Sequence, residues 1–563
     1  MRKRGEITVF LAMILLSMCA LLCGIAESVR TAGARQFLRT AVNASADSLM
    51  AQYHRGLWET YRILGLEHRG KESLEAEMAG FLTPYFEAEN WYPMELNEVR
   101  LRDMIGLTEG NGRYMEQEIL EYMQYGLIGV LWDELDENGA GELLAVLKEG
   151  EGISRISDLY EGHAKEAVRL EEALERIETR LISQRENWEK AGERLEGLDG
   201  SGFVRKAEDV IKDLEKVPGL VETYEKQADR LGESLSGSRA SFEGEKDLGD
   251  QVRQALEDEI RQYETYVDAD GERRREVALL TEKSRNNVDT VRGIIREAEA
   301  VMEYIDSWEA EDDEDELDEE ALWAPVRERW RAYPLLGLNL TFGVEDKETE
   351  GILERISQFM GEGLLGLVLP EGTELSQEVF DLQGLPSLAA GAAGEGQEYE
   401  AGVENLADRL IVCEYAVRYF KPFEKESAPG ASYEMEYILC GDERERENLA
   451  GTVTRLTALR SGLNLAHILT DASKRQEART MAAAIVGGTG LLPLVSVMAF
   501  FIMTQWALGE AIADVKCLLS GGRIPLIKSA SQWKLDLDGL LEMGREGNVS
   551  QPSSGEEGLD YRG

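Results

Sequence analysis

Twenty consecutive residues, 7 to 26, carry no charge in the opening MRKRGEITVFLAMILLSMCALLCGIAES. A helix rising about 1.5 Å per residue crosses a hydrocarbon core of roughly 30 Å at that length. The rest of the chain must therefore be arranged around a helix that water disfavours. Phe10, Leu15, Leu16, Leu21 and Leu22 are its bulkiest candidates for lipid contact. Arg2, Lys3 and Arg4 precede the run and Glu27 follows it. An excess of basic residues before a span holds that side in the cytoplasm, so residues 1–6 read as a cytoplasmic leader and the chain after residue 26 as extracytoplasmic.

Three treatments fit this segment. Retained, it is a transmembrane anchor over 7–26. Cut by a signal peptidase, it ends at the small-x-small site formed by Gly24, Ile25 and Ala26, although its apolar run exceeds the usual about 7 to 15 residues. Cut as a prepilin, it ends its leader at Gly5 and starts the mature chain at Glu6, with Phe10 where pilins carry a Glu. Lipidation is disfavoured, because Met18 and Leu22, not small residues, precede Cys19 and Cys23. Retention gains weight from the next stretch of chain: Leu38, Val42, Leu49 and Tyr53 recur at helical steps among Ala32, Ala34, Ala41, Ala44, Ala46 and Ala51. One helix can then run from the bilayer into a soluble head.

The stretch GEITVFLAMILL…ESVRTAGARQFLRTAVNASADSLMAQYHRGLWETYRILGL resembles the start of TadE/TadG-like pseudopilins of tight-adherence (Flp/Tad) pilus systems. It is most similar to an uncharacterised clostridial membrane-protein family found beside such loci. CEYAVRYF, YEMEYILCGDERERENLAGTVTRLTALRSGLNLAHILTD and WALGEAIADVKCLLSGGRIPLIK resemble the same family, so the likeness covers both ends of the chain. It implies that the first helix packs among other membrane or pilus-assembly subunits, and it assigns no chemistry to any residue.

The formal net charge is −47, from 108 acidic against 61 basic residues, while 43% of residues are hydrophobic. Such a chain can bury a core, yet it repels phosphates, which argues against nucleic acid as a partner and against anionic headgroups along most of the surface. Solubility and self-repulsion are the direct consequences of the charge, and cation collection in a cell wall is another reading of it. The five cysteines form no disulfide framework. Only Cys413 and Cys440 are placed to meet in an outer domain.

Residues 27–150 read as a membrane-proximal helix and an α+β region. Met94, Leu96, Val99, Leu101 and Met104 suggest a short strand before the turn at Glu109-Gly110-Asn111-Gly112, and Met115, Ile119, Tyr122 and Met123 share a helical face before an apolar run over 127–135. Residues 153–308 carry a heptad pattern. Ile153, Ile156, Tyr160, His163, Ala167, Leu170, Leu174, Ile177, Leu181, Gln184, Trp188, Ala191, Leu195 and Leu198 step by threes and fours, and after a glycine-rich break at 197–202 the pattern restarts from Phe203 to Leu235. It resumes through Val277, Leu280, Ser284, Asn287, Val291, Ile294 and Ile305. A left-handed, antiparallel coiled-coil arm about 65 to 70 Å long follows from a 3.5-residue period. Within it, Pro218-Gly219 is expected to kink or break the second helix, and Asp268-Ala269-Asp270-Gly271 to turn the chain after a shorter helix over 250–267.

The acidic run over 309–324 reads as a solvated linker. Residues 325–470 read as a second α+β region, with Tyr433, Met435, Tyr437 and Leu439 alternating as a strand and Leu449, Val453, Leu456, Leu463 and His467 marking an amphipathic helix. Residues 481–509 again carry no charge, but Gly487, Gly488, Gly490 and Pro493 interrupt them and Glu510, Asp514 and Lys516 follow in phase. Two readings stand: a second transmembrane segment, or a buried or membrane-associated helix. Lys474, Arg475 and Arg479 before it balance Lys516, Arg523 and Lys528 after it, so charge does not orient it. Residues 510–563 read as a polar tail, loose beyond Gln532.

Motifs for chemistry are weak. Residues 65–72 approach a phosphate-binding loop, but Glu72 replaces its hydroxyl residue. The turns at 134–139 and 268–271 have EF-hand flavour with Ala145 and Leu279 at the twelfth positions. His54, His68, His163 and His467 form no HExxH, no CxxC pair exists for zinc, and no G-x-S-x-G elbow appears. No cofactor, catalytic residue or metal ligand is assigned.

The sequence thus points to a mainly α protein with a minor β component, built from an N-terminal transmembrane helix, a long antiparallel coiled-coil arm, an α+β head and a C-terminal hydrophobic helix. The expected function is non-enzymatic: an extracytoplasmic structural protein in the cell membrane of a Gram-positive-type envelope, serving as a minor pilin-like or accessory component of a tight-adherence pilus or secretion system. The alternative is a two-spanning envelope sensor or scaffold with a signalling arm. A weaker third reading is an adhesin released after Ala26. Expected partners are membrane lipid and other envelope subunits, with self-association open.

Overall fold

A computed structural model describes residues 3–561 except 89–91, 93, 111, 127–136, 310–316, 362, 371, 374, 378, 380–405, 425–432, 488–491 and 550–557. In chain order the helices are α1 (Lys3–Met50), α2 (Arg55–Tyr61), α3 (Lys71–Glu87), α4 (Arg113–Gly126), α5 (Glu137–Glu196), α6 (Gly200–Gly244), α7 (Asp250–Ser307) and α8 (Glu319–Arg331). They continue as α9 (Lys347–Gln358), α10 (Leu364–Val368), α11 (Leu406–Tyr419), α12 (Glu434–Cys440), α13 (Glu445–Thr470), α14 (Ala472–Val486), α15 (Leu492–Leu519) and α16 (Leu537–Glu546). The chain divides into two compact units, Met1–Gly141 with Ser376–Asn448, and Glu142–Leu375 with Leu449–Gly563.

In the first unit α1 is one uninterrupted helix, as its alanine-rich continuation implies. Its last turns bury Ala41, Ser45 and Leu49, whereas Leu38 and Val42 stay partly exposed. Ala41 and Leu49 pack against Leu74, Met78 and Leu82 of α3, which returns along α1. A second core joins Tyr61 and Ile63 to Ile119 and Met123 of α4 and Tyr415 of α11.

The minor β component does not appear: among the described residues there are isolated bridges, such as Tyr53 with Leu66, and no extended strand. Residues 94–101 are irregular and lay Leu96, Val99 and Leu101 over the α1–α3 core, with the Leu101 amide donating to Glu75 at 2.9 Å. The alternating stretch 433–439 is mostly the helix α12. Its glutamates are not on a solvent face: Glu434 accepts from Tyr61 Oη and the Lys421 amide, both at 2.8 Å, and buried Glu436 accepts from the Phe423 amide at 2.9 Å. A two-residue alternation makes a strand only where a neighbouring strand can pair with it, and none lies here.

The second unit is built on α5, α6 and α7. Every α5 heptad position from Ile153 to Leu181 that the pattern selects is buried, as are Phe203, Leu214, Tyr224 and Leu235 on α6 and Val277, Val291 and Ile294 on α7. The hairpin between α5 and α6 is tight: Leu198 takes a left-handed φ of 55° and Asp199 caps α6 by accepting from the Gly202 amide at 2.8 Å. Both expected interruptions are corrected. Pro218 lies inside a continuous α6, where buried Leu214, Val217 and Val221 carry the apolar stripe past it, so packing on α7 outweighs one lost backbone bond. Residues 268–271 lie inside a continuous α7, because Asp270 is buried and accepts from Tyr224 Oη at 2.8 Å and Arg273 Nε at 2.9 Å instead of capping a turn.

The long helices are not a bare arm. Trp188 and Trp330 each donate their indole N–H to the other's carbonyl at 3.1 Å, which seats α8 on α5. Gln184 and Asn287 both donate to Tyr333 Oη, at 3.3 and 3.0 Å, and Asn287 also to the Pro334 carbonyl at 2.7 Å. The polar heptad positions thus hold the segment after α8. The acidic linker gives way to α8 at Glu319, with Asp318 as its cap; residues 310–316 lie outside the described residues. The tail beyond Gln532 is also ordered through α16, whose Leu540, Met543 and Gly544 are buried against α9 and α15.

Candidate functional site

The two uncharged segments meet opposite surroundings. All of residues 5–32 are exposed on α1; Phe10 is 64% exposed and Leu16 74%, with Leu15, Leu21 and Leu22 alike. Gly5, Glu6, Gly24 and Ala26, the candidate processing positions, lie exposed within the same helix. Both α1 and α15 are long and apolar enough to cross a membrane.

The uncharged span 481–509 divides between α14, which ends at Val486, and α15. Almost every residue of α15 from Val497 onward is buried, with Phe500 1% exposed, and α7, α9, α10, α14 and α16 pack around it. Tyr160 and Tyr263 meet Phe500 edge-on. Its C-terminal half carries buried charge in helical phase. Asp514 accepts from Arg460 Nη2 at 2.8 Å, Arg460 Nε at 3.1 Å and Lys528 Nζ at 2.5 Å. Glu510 pairs with Lys528 and accepts from the Leu535 amide at 2.8 Å. Arg460 spends its remaining donor on the Pro525 and Leu526 carbonyls, and Lys516 donates to the Val549 carbonyl at 2.5 Å. Arg460 and Lys528 therefore meet Glu510 and Asp514 in the interior, and together with Lys516 they tie residues 525–549 across α15. The sequence displayed Glu510, Asp514 and Lys516 in phase with the apolar run; Arg460 and Lys528, distant in sequence, carried no such signal.

Beside this cluster Lys474 Nζ sits 4.3 and 4.2 Å from the ring centres of Trp506 and Trp533, and His467 stacks on Trp533. Burial lowers the pKa of both His467 and Lys474. The indole faces favour the cation on Lys474 and oppose that shift. A second buried network joins Glu171, Asp270 and Arg273: Arg273 reaches Glu171 at 2.8 Å, Tyr266 Oη donates to Glu171 at 2.6 Å, and the Gly343 amide donates to it at 2.9 Å. Burial raises the pKa of Asp270 despite its pairing with Arg273.

The core positions Leu170, Leu174, Ile177, Leu181, Val291 and Ile294 are buried as the heptad pattern requires, and Ile305 is half-buried at the end of α7. His163 donates or accepts with Ser238 at 2.8 Å, a core histidine whose pKa burial lowers. Cys413 and Cys440 form no disulfide. Among the described residues no cluster of His, Cys, Asp or Glu is arranged to hold a metal. Gly70 and Lys71 of the loop-like stretch 65–72 start α3, and the candidate EF-hand turn at 134–136 lies outside the described residues.

Residues 343–563 match the model of a family of unknown function, DUF5702. No curated protein and no solved structure matches the chain.

Proposed function

We propose that the chain is a non-enzymatic structural protein of the cell envelope, held in the membrane by α1 alone, with both units outside the cytoplasm. The observation that carries this reading is the exposure of all twenty residues from 7 to 26, beside basic residues that favour a cytoplasmic leader. Lipid, or the helices of partner subunits, would cover a surface that water does not stabilise. We read α15 as the central helix of the second unit and not as a second crossing, because it already has protein on its faces and charges at Glu510, Asp514 and Lys516. The likeness of the opening residues to TadE/TadG-like pseudopilins supports an accessory role in a tight-adherence pilus or secretion system, with other subunits of that assembly as partners. The two-spanning sensor or scaffold is the lesser reading, since it needs α15 in lipid.

Single cysteines at Thr40, Asp250 and Glu546, in a background lacking the native thiols, test the topology with a membrane-impermeant maleimide on intact cells. Labelling of all three is expected. Protection of Glu546→Cys alone would establish the second crossing, and protection of all three would invert the chain. Sequencing of the mature N-terminus separates retention from cleavage: a start at Glu27 removes the anchor, and a start at Glu6 indicates pilin-type processing.

A further inference from the structure

Directly after α1 the chain folds back through an elbow, residues 53–70, and two of the four histidines sit in it. The elbow closes through the Tyr53–Leu66 bridge, with the His54 amide donating to the Gly65 carbonyl at 2.7 Å. His54 then caps α2, its Nδ1 accepting from the Leu57 amide at 3.1 Å. His68 closes the other end without capping a helix: its Nδ1 accepts at 3.1 Å from the amide of Gly70, the residue that precedes α3 with φ 117° and no side-chain cap. A neutral imidazole can accept at Nδ1, whereas a protonated one carries hydrogen on both nitrogens and accepts at neither. Each bond therefore exists only with its histidine neutral.

The surroundings give His54 a second partner. Glu67 Oε2 lies 3.8 Å from its Nε2, and no other charged side chain pairs with either imidazole among the described residues. Arg55 pairs with Glu59, and Arg62 lies over Trp58. The packed faces of α4 and α11 bring Tyr122, Tyr415 and Tyr419, with Arg418 near Tyr419, while Glu434 of α12 is taken by Tyr61. Arg69, Lys71 and Glu72 flank His68 along the chain. Protonation thus costs His54 its cap and offers it a carboxylate, while His68 loses its bond and gains no charged partner among the described residues.

We propose that the elbow is an acid-opened joint, closed by His54 and His68 through Nδ1 when they are neutral and released when both take up a proton. Histidine is the side-chain type suited to charge changes between about pH 5 and 8. On the single-anchor reading above, the joint lies just outside the membrane and loosens the α1–α3 pairing when the outside acidifies; the joint itself does not depend on that reading.

Hydrogen exchange read by mass spectrometry on the detergent-solubilised full chain tests it, with intrinsic rates corrected between about pH 7.5 and 5.5. The peptide covering 55–63 should lose about tenfold in protection on acidification, the scale of a lost helix cap, and the peptide covering 69–74 should lose protection at the Gly70 amide. The double variant His54→Asn with His68→Asn keeps an uncharged acceptor at both places and should hold its protection at both pH values. His54→Asn alone should retain the first peptide and release the second. Equal protection of the natural chain at both pH values, or an equal loss in the double variant, would overturn the joint, whatever the topology of α1.

Discussion

α1 and α15 pass the same test of length and apolarity, yet one presents its side chains outward and the other hides them. The difference lies in the residues that continue each run. After residue 26 the chain turns polar but keeps helical phase without a single inward-facing charge that finds a partner, and Ile7 to Ile25 stay open. After Gly509 the same helical phase delivers Glu510, Asp514 and Lys516 to the interior, each met by a donor or acceptor from elsewhere in the second unit. Apolar length is thus a statement about one helix, while membrane insertion depends on whether the fold offers that helix a protein interior.

The sharpest way to break this contrast is to remove one run at a time. Deleting residues 1–26 should move the protein from the membrane pellet wholly to the soluble fraction, with the helical circular dichroism of the remainder preserved. Persistent pelleting after carbonate washing would mean that α15, or a partner, anchors the chain. Within α15 the leverage is electrostatic. Arg460→Ala leaves Asp514 short of its main donor in the interior, and breaking a buried pair from one side costs about 3 to 5 kcal/mol. Denaturation followed by the fluorescence of Trp506 and Trp533 should show that loss. A change below about 1 kcal/mol would mean that water reaches the cluster and that α15 is less enclosed than its burial indicates.

How much of this was legible in the sequence depends on the range of the interactions involved. Helical periodicity is local, so the buried faces of α5, α6 and α7 could be read position by position, down to Gln184 and Asn287 as polar exceptions. What the pattern could not reveal was the partner: Tyr333 and Pro334 lie 46 or more residues away from the amides that bind them. Local breakers misled for the same reason. Pro218, Asp268, Asp270 and Gly271 are poor helix formers, and long-range packing and the Tyr224–Asp270–Arg273 bonds overrule them. Tyr433 to Leu439 failed differently, since their alternation was genuine and a pairing strand was missing. The neutral-acceptor role of His54 and His68 left no trace in spacing at all; only ring orientation exposes it.

A hydrophobic substitution separates the packed helices of the second unit from a loosely held arm. Ile177 is fully buried on α5, and Ile177→Ala should cost about 3 kcal/mol if the surrounding helices hold their positions and leave a cavity. The equivalent change at Leu16 of α1, Leu16→Ala, should leave the stability of both units unaltered in the same measurement, because that side chain is 74% exposed. Equal costs at the two positions would erase the distinction between an open and an enclosed helix.

The smallest effect concerns acid, and its sign differs between groups in the same unit. Burial lowers the pKa of His163 and His467, so both favour the neutral form in the fold. Above the ordinary value of 6.5 neither state holds the proton and they contribute no pH dependence. Below it the unfolded chain binds protons first, and stability falls until the lowered folded value is passed. Asp270 and Glu259 act the other way: burial raises their pKa, so the folded state takes up protons first and gains as pH drops toward their ordinary carboxylate range. His163 and His467 therefore pull the unfolding midpoint down below about pH 6.5, against a rise from the carboxylates whose pKa burial raises, Asp158 and Glu350 at about 6 among them. His163→Gln removes one proton site while leaving a group that can bond Ser238, and it should reduce the decline without changing the neutral-pH midpoint by more than a minor amount. A decline of unchanged slope would mean that Glu166, at 3.4 Å, offsets burial so that His163 binds its proton equally in the folded and unfolded chain, and a steeper decline would mean that Glu166 outweighs burial.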